Sequence, residues 1–487
     1  MNFSVCGIDS STQSCTLITR DVDTGKFINI SRSLHPKIIP NKSEQDPESW
    51  WEALLNALQK IEKSSIKALS IDGQGHGSVL LGQDNSVLRP AKLWNNTETG
   101  AESDFLINSL GKEQWINRTC IVPVPAFTIT KLLWVKKNEP EIFNKIAKVL
   151  LPHDYLTYKL TDNYVTDRSE ASGTGYFNPA TSLWQLDLLN LVDSNFSWES
   201  MVPHVAGPDE LVGKVTTGAS LATGIQKGAL LACGCNDNPA SALGLGLQET
   251  DVCVSLGTSG TIFVPSVTPV YDYTGRVNGN ADATGKFLPL VCTLNATKVT
   301  NWITSLFRLD YDEASALALS AKPTSNRPIL IPFFDGERTP NLPLASGSIS
   351  GLRTDTSIEE ILRSCFEGVL LNILGGLDAL QTAGVDTSGR LIVTGGGAMS
   401  PAYVQFLADL SGRPVWVTSE TNTAAMGACV QAAAVFHSCS VSEIKKAWAP
   451  KLTIGAIPRD NQNVDVIKER YLALVKEEEL RATSEIT

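Results

Sequence analysis

A chain of 487 residues is too long for one ordinary hydrophobic core, so two or three domains are expected. Hydrophobic residues at 43% and charged residues at 19% describe a folded globular protein, and 40 Lys and Arg against 51 Asp and Glu give a net charge of -11. That balance argues against a nucleic-acid surface, which needs a basic face, yet leaves room for a nucleotide whose phosphates are held by local amides.

The opening Met1-Asn2-Phe3-Ser4-Val5-Cys6 has no basic segment followed by an apolar core, so no secretory signal is expected. The longest apolar runs, such as Ala424 to Phe436, are too short and too broken to cross a bilayer. Ten cysteines are scattered without a C-x-x-C pair. They read as reduced thiols of a cytoplasmic protein, with zinc at Cys233 and Cys235 the alternative.

In chain order, Phe3 to Asp9, Cys15 to Thr19 and Phe27 to Ile30 read as three strands joined by polar turns. Asp9 ends the first strand and is followed at once by hydroxyl residues, a setting for Mg²⁺ and phosphate or for an ordinary Asx turn. Asp46-Pro47-Glu48 opens an amphipathic helix carrying Trp50, Leu54 and Leu58. Ile66 to Ile71 is a buried strand that runs into Asp72-Gly73-Gln74-Gly75-His76-Gly77, where three glycines allow a close backbone approach to a ligand. His76 is either a ligand contact or a structural residue of that turn. Val79 to Leu81 and Leu88 to Trp94 are expected to form a hairpin, ending in Trp94-Asn95-Asn96. That cluster can stack on a sugar, or Trp94 can simply be buried. Residues 100–165 read as mostly helical, and Thr166 to Gly173 as a polar loop.

The stretch from Cys233 to Gly260 carries the sharpest signal. Asp237 lies between two asparagines and just before Pro239-Ala240-Ser241-Ala242, at an expected helix start. The strand Val252 to Leu256 then breaks into Gly257-Thr258-Ser259-Gly260, whose amides can form an anion nest. A carboxylate just before a phosphate nest suits a base that readies a hydroxyl for phosphoryl transfer; the same residues also fit a helix cap and a tight turn. Ile8 to Ser14 resembles Val254 to Gly260, which suggests a duplicated domain with one phosphate-facing turn in each copy. Beyond it, Glu337 and Arg338 are expected to form an internal ion pair, and Glu359 to Leu380 a long helix. The strand Arg390 to Thr394 runs into Gly395-Gly396-Gly397-Ala398, where bare backbone could lie against adenine or ribose. Helices follow near Val404 to Leu410, Asn422 to Phe436 and Val464 to Leu480.

With these pieces in order the chain resembles the FGGY carbohydrate kinases, most closely their xylulokinase branch. The resemblance spans nearly the whole length. It rests on Gly7 to Ser14, Gly73 to Gly77, Leu93-Trp94-Asn95, Lys131 to Val135, Asp154-Tyr155, Ala171 to Thr174, Asn236-Asp237-Asn238 and Ser255 to Gly260. Gly336 to Pro340, Glu367-Gly368, Gly395 to Ala398 and Ala408-Asp409 complete it. It implies two duplicated actin-like (ribonuclease H-like) α/β domains flanking a central catalytic cleft, residues 1–244 for the sugar and 245–487 for ATP. It further implies an ATP-dependent transfer to a terminal hydroxyl of a ketopentose, D-xylulose first among the candidates. Asp237 would be the catalytic base, and Asp9 would lie near Mg²⁺ and the transferred phosphate. His76, Gly77, Trp94, Asn95 and Asn238 would line the sugar site. Ser11, Thr12 and Gln13, with Gly257, Thr258 and Ser259, would meet the ATP phosphates, and Gly396, Gly397, Ala398 and Ser400 the adenosine. The implied partners are the sugar and ATP, with no nucleic acid or membrane; a homodimer is left open. Three positions depart from the family pattern: Gly75 where Met is usual, Asn96 where Asp is usual, and Glu98 near an expected Arg. An actin-like ATPase without a sugar substrate is the competing reading from another class, and a non-catalytic sugar-binding regulator a third.

Overall fold

The computed structural model describes residues 3–36 and 43–484. The chain forms two compact units interleaved in sequence: Met1–Leu247, Val267–Leu288 and Asn422–Pro450 make one, and Gln248–Ser266, Pro289–Thr421 and Lys451–Thr487 the other.

The first unit is built on a sheet in which strands Leu211–Lys214, Leu230–Ala232, Ile66–Gly73, Ser4–Ser10, Ser14–Asp21 and Phe27–Leu34 lie side by side in that order. The last three form the expected antiparallel meander. Ile66–Gly73 runs parallel to Ser4–Ser10 and to Leu230–Ala232, and Leu211–Lys214 closes the edge antiparallel. A further short strand, Cys235–Asn236, pairs in parallel with the end of Ile66–Gly73.

Both faces of the central strands are covered, which is why they are apolar without strict alternation. On one side packs the helix Pro47–Leu58, started by Pro47 in its first turn and by the Asp46 carboxylate accepting from Glu48 N. It buries Trp50, Leu54 and Leu58 against Ile8, Leu17 and Leu69. Elsewhere the sheet meets the helix Thr423–His437, which packs Ala425, Cys429 and Ala432 with Val5, Ile18 and Ala68. Small side chains let this helix come unusually close. A Cβ on Gly7 would stand 2.0 Å from Ala425 O, and one on Gly427 would stand 1.9 Å from Ala240 O in the helix Asp237–Gly244. Its buried polar residue, Gln431, is satisfied by the strands beneath: it accepts from Ser70 Oγ at 2.8 Å and donates to Gly234 O at 3.0 Å.

The second unit repeats the pattern. The end of Phe287–Thr293 pairs antiparallel with Gly260–Phe263, and that strand antiparallel with Val252–Leu256. Leu391–Thr394 and Val415–Val417 follow in parallel, and Thr453–Ala456 closes antiparallel. Antiparallel, antiparallel, parallel, parallel, antiparallel is also the order in the first unit, so the similarity of Ile8–Ser14 to Val254–Gly260 reflects two copies of one α/β architecture. The helix Ile358–Thr382, started by a Ser357–Glu360 capping box, packs on this sheet: a Cβ on Gly376 would meet Ile262 Cγ2 at 2.7 Å. Among the described residues no helix is long and apolar enough to cross a membrane.

Three local expectations change. Val79–Leu81 forms its regular ladder with Lys148–Leu150, and the expected return through Leu88 to Trp94 is held by two isolated antiparallel bridges, Leu81 to Val87 and Ser78 to Lys92, with Leu88 N donating to Leu80 O at 2.9 Å. The polar loop at 166–173 is a strand end, Val165–Asp167, running into a short helix, Arg168–Ser172, whose first amides are capped by the Asp167 carboxylate. Glu337 is buried and held by amides, from Leu294 N, Asn295, Asn372 and the backbone N of Arg338.

The close helix crossing predicts a contrast between two glycines. Gly427→Ala drives a methyl into the Ala240 carbonyl and is expected to cost about 1–3 kcal/mol. Gly375→Ala, mid-helix with nothing within 4 Å, should instead stabilise by about 0.5–1 kcal/mol. Thermal and urea unfolding of the two variants should move in opposite directions; equal shifts would show that the crossing is looser than described.

Candidate active site

The first unit gathers carboxylates where its parallel strands end. Asp9 and Asp72 are register partners on the strands Ser4–Ser10 and Ile66–Gly73, and Cys235 pairs with Asp72, so Asp237 follows just beyond the third strand end. Asp72 is fully buried, and neither of its oxygens has a hydrogen-bond partner; Asp9 Oδ1 is in the same condition. Burial disfavours the charged form of all three. It lifts Asp9 to about 7, with the nearby Asp237 adding to the rise and Arg32 opposing it. Asp72 is pushed well above the usual carboxylate range by burial and then by both neighbours. Asp237 rises to about 6, moderated by the Asn238 backbone N. Of the three, Asp237 is raised least.

Asp237 is the first residue of its helix, as the sequence suggests. Asn236 caps that helix through an Asn238 N to Oδ1 contact of 3.4 Å, and Asn238 Nδ2 donates to Asp237 Oδ1 at 2.8 Å. A carboxylate in the first turn also gains from the helix dipole.

His76 sits in the left-handed region, at φ 66°, and is held from several sides. Its N donates to Glu170 Oε1 at 3.0 Å, while its O accepts from the buried Lys131 Nζ at 2.5 Å. Its ring stands edge-on to Phe127 at 5.0 Å and so close over Gly173 that a Cβ there would lie 1.8 Å from Nδ1. Gly73 backs onto His153, in a buried cluster with Asp154 and Asp167. Burial works against a charge on His153, but those carboxylates raise it to about 9. A Cβ on Gly77 would strike Pro152 Cγ at 2.7 Å, so the absence of a side chain there serves packing. Trp94 Nε1 donates to Thr12 Oγ1 at 2.9 Å, joining an expected sugar residue to the turn expected to face phosphate. Asn95 Oδ1 is buried without a partner. In that turn, Ser11 N and Oγ both reach Ser14 O, and Gln13 is exposed. The departures Asn96 and Glu98 are accounted for locally: Glu98 accepts from Asn96 Nδ2 and from the fully buried Lys92 Nζ, at 3.0 and 2.5 Å.

In the second unit, the Gly257-Thr258-Ser259 turn carries the start of the helix Thr297–Phe307. Ala296 N reaches Thr258 O, and Thr297 N and Oγ1 reach Gly257 O, at 3.1, 3.0 and 2.8 Å. A cavity of about 620 Å³ opens beside that helix, lined by Gly396, Gly397 and Ser400 together with Thr297, Thr300, Asn301, Tyr311, Asp312, Met399 and Tyr403. Its size suits a nucleoside. Ala398 stands in the same turn but is not among its lining residues. The helix-borne Thr297, Thr300 and Asn301 are missed by the sequence reading, as are Glu170 and Asp72. Asp72 was legible, being a carboxylate at a strand end like Asp9.

Comparison with known proteins gives a consistent result. The model of the FGGY family of carbohydrate kinases, N-terminal domain, matches residues 4–244, and that of the C-terminal domain matches 252–436. The xylulose kinase of Streptomyces coelicolor is 38% identical over 468 residues, which is 95% of each chain. That of Haemophilus influenzae is 32% identical, covering 88% of this chain and 89% of the other. The crystal structure of the xylulose kinase from Bifidobacterium adolescentis superposes with a TM-score of 0.83 at 32% identity, over 96% of this chain and 99% of that one.

The buried carboxylates make stability depend on pH. A carboxylate raised in the folded state binds more protons folded than unfolded, so stability is greatest below the ordinary carboxylate value and is lost as pH rises through the folded value. For Asp237 and Asp9 the window runs from about 4 to about 7. The ligand-free protein should thus melt at a lower temperature at pH 8 than at pH 5. Asp72→Asn should raise the melting temperature at pH 8 and flatten the profile; an unchanged profile would place Asp72 in contact with water.

Proposed function

The chain belongs to the FGGY family of carbohydrate kinases, and we propose that it transfers the γ-phosphoryl group of ATP to the terminal hydroxyl of D-xylulose, giving D-xylulose 5-phosphate and ADP. The observation that carries the chemistry is Asp237: a half-buried carboxylate, first in its helix, which desolvation raises to about 6. At neutral pH it is ionised and basic enough to accept a proton. As the sugar oxygen attacks the γ-phosphorus, that oxygen's proton passes to Asp237. The bond between the γ-phosphorus and the β–γ bridging oxygen breaks, and ADP departs with the electron pair.

Residues 1–244 would supply the sugar site and residues 245–487 the ATP site. His76, fixed by Glu170 and Lys131, with Trp94, Asn95 and Asn238, would orient the sugar. The Gly257–Ser259 turn would face the phosphates, and the cavity at Gly396 and Gly397 would take the adenosine. The unpartnered oxygens of Asp9 and Asp72 fit a hard cation: Mg²⁺ takes oxygen ligands, keeps several waters, and needs only one or two carboxylates. Among the described residues no group of three or more His, Cys, Asp or Glu is arranged to hold a metal. Held there, Mg²⁺ would offset negative charge on the phosphoryl oxygens. The free state of all ten cysteines fits a reducing, cytoplasmic setting.

ADP release by the purified protein with Mg-ATP, measured across ketoses, aldoses and polyols, tests the assignment. D-xylulose should give the largest kcat/KM, and Asp237→Ala should lower kcat by roughly 10²–10⁴-fold. ATP turnover without sugar, unchanged in the variant, would overturn the kinase assignment; a better substrate than D-xylulose would overturn only its specificity. Gly396→Val, at a cavity-lining position where an added Cβ meets nothing within 4 Å, should raise the KM for ATP about tenfold and leave that for sugar unchanged.

A further inference from the structure

We propose that Glu170 and Asn236 form a clamp that sets the shape of the sugar-binding turn at Gly75-His76 and so determines which acceptor fits. The inference rests on the sugar-kinase reading above, in which Glu170 only fixes His76 and Asn236 has no part.

Glu170 lies on the short helix Arg168–Ser172 and is fully buried. Its two oxygens serve two different segments: Oε1 accepts from His76 N at 3.0 Å, and Oε2 accepts from Asn236 Nδ2 at 2.8 Å. One carboxylate therefore ties the sugar turn to the residue that caps the helix of Asp237. The same short helix anchors Asn236 a second time, because Asn236 N donates to Ser169 Oγ at 3.0 Å. It also ends at Gly173, against which the His76 ring lies.

The position of Asn236 restricts the residue at 75. A Cβ there would lie 2.2 Å from Asn236 Nδ2, closer than any real contact. The Asn236 carboxamide therefore occupies the space in which a side chain at position 75 would begin. Its backbone φ lies outside the left-handed region, so conformation alone does not call for glycine at 75. A polar amide held by a carboxylate thus stands where the turn would otherwise carry its own side chain, beside His76 and one residue before the base. A wall of that kind limits which acceptor fits beside His76.

Glu170 and Asn236 act as positioning residues, and the test separates that role from a merely structural one. Gly75→Ala, Asn236→Ala and the double variant are made, and KM for sugar, KM for ATP and kcat are measured for each. Gly75→Ala alone should raise the sugar KM at least tenfold with the ATP KM within twofold of wild type. In the Asn236→Ala background the same change should add less than about twofold, because the atom it would strike is gone. Asn236→Ala should also reorder relative turnover across the sugar panel. Glu170→Ala tests the anchor directly, and Glu170→Gln, which keeps an acceptor for His76 N, should recover most of the loss. If the Glu170 variants do not fold, the cycle at 75 and 236 still decides. Strictly additive effects, or equal losses in the KM values for sugar and ATP, overturn the clamp while leaving the kinase reading intact. Wild-type protein that turns over no sugar overturns both.

Discussion

Desolvated carboxyl groups at the ends of neighbouring parallel strands are the constraint on which this structure turns. Parallel pairing places Asp9 and Asp72 in register and brings Asp237 just past the third strand end, so the topology forces the carboxylates together. Isolated, such a group would relax toward water or draw a counter-ion from the chain. Here both Asp72 oxygens and one of Asp9 remain buried and unpartnered, a costly state that only a stiff surround can maintain. The surround is stiff because glycines at 7, 244 and 427 let the sheet and two helices meet at backbone contact, where little repacking is available.

The two units share one strand order and use it for different chemistry. In the first, the register pair at the ends of the two central parallel strands is Asp9 and Asp72; in the second, it is Ser255 and Thr394, with Gly257 and Gly395 just beyond the strands. The first copy thus presents carboxyl groups, suited to deprotonating a hydroxyl and holding a cation. The second presents bare backbone and a cavity, suited to a large planar ligand and its phosphates. Phosphoryl transfer calls for both, since the protein contributes chiefly position and electrostatics to such a reaction.

Much of this was legible in the sequence. The opening meander, the Pro47–Leu58 helix, Asp237 at a helix start and the glycine turns at 257 and 396 follow from local signals of period, capping and turn chemistry. The Val79–Leu81 strand was recognisable, but its partner lies at Lys148–Leu150, where no turn signal points. Glu170 was hidden because a five-residue helix has no periodicity to display, and Thr297, Thr300 and Asn301 because a polar helix face looks like any solvated one.

By itself, then, the sequence determined the local grammar: which stretches are strands, where each breaks, and which residue types stand at the breaks. These depend on interactions between residues close in the chain. The tertiary structure alone decided which breaks share a site. It returned Asn422–Pro450 to the first unit, matched Gly427 to Ala240, and set Asn236 against Gly75 through Glu170. Such meetings between distant segments follow from shape and burial over the whole core, and no local pattern encodes them.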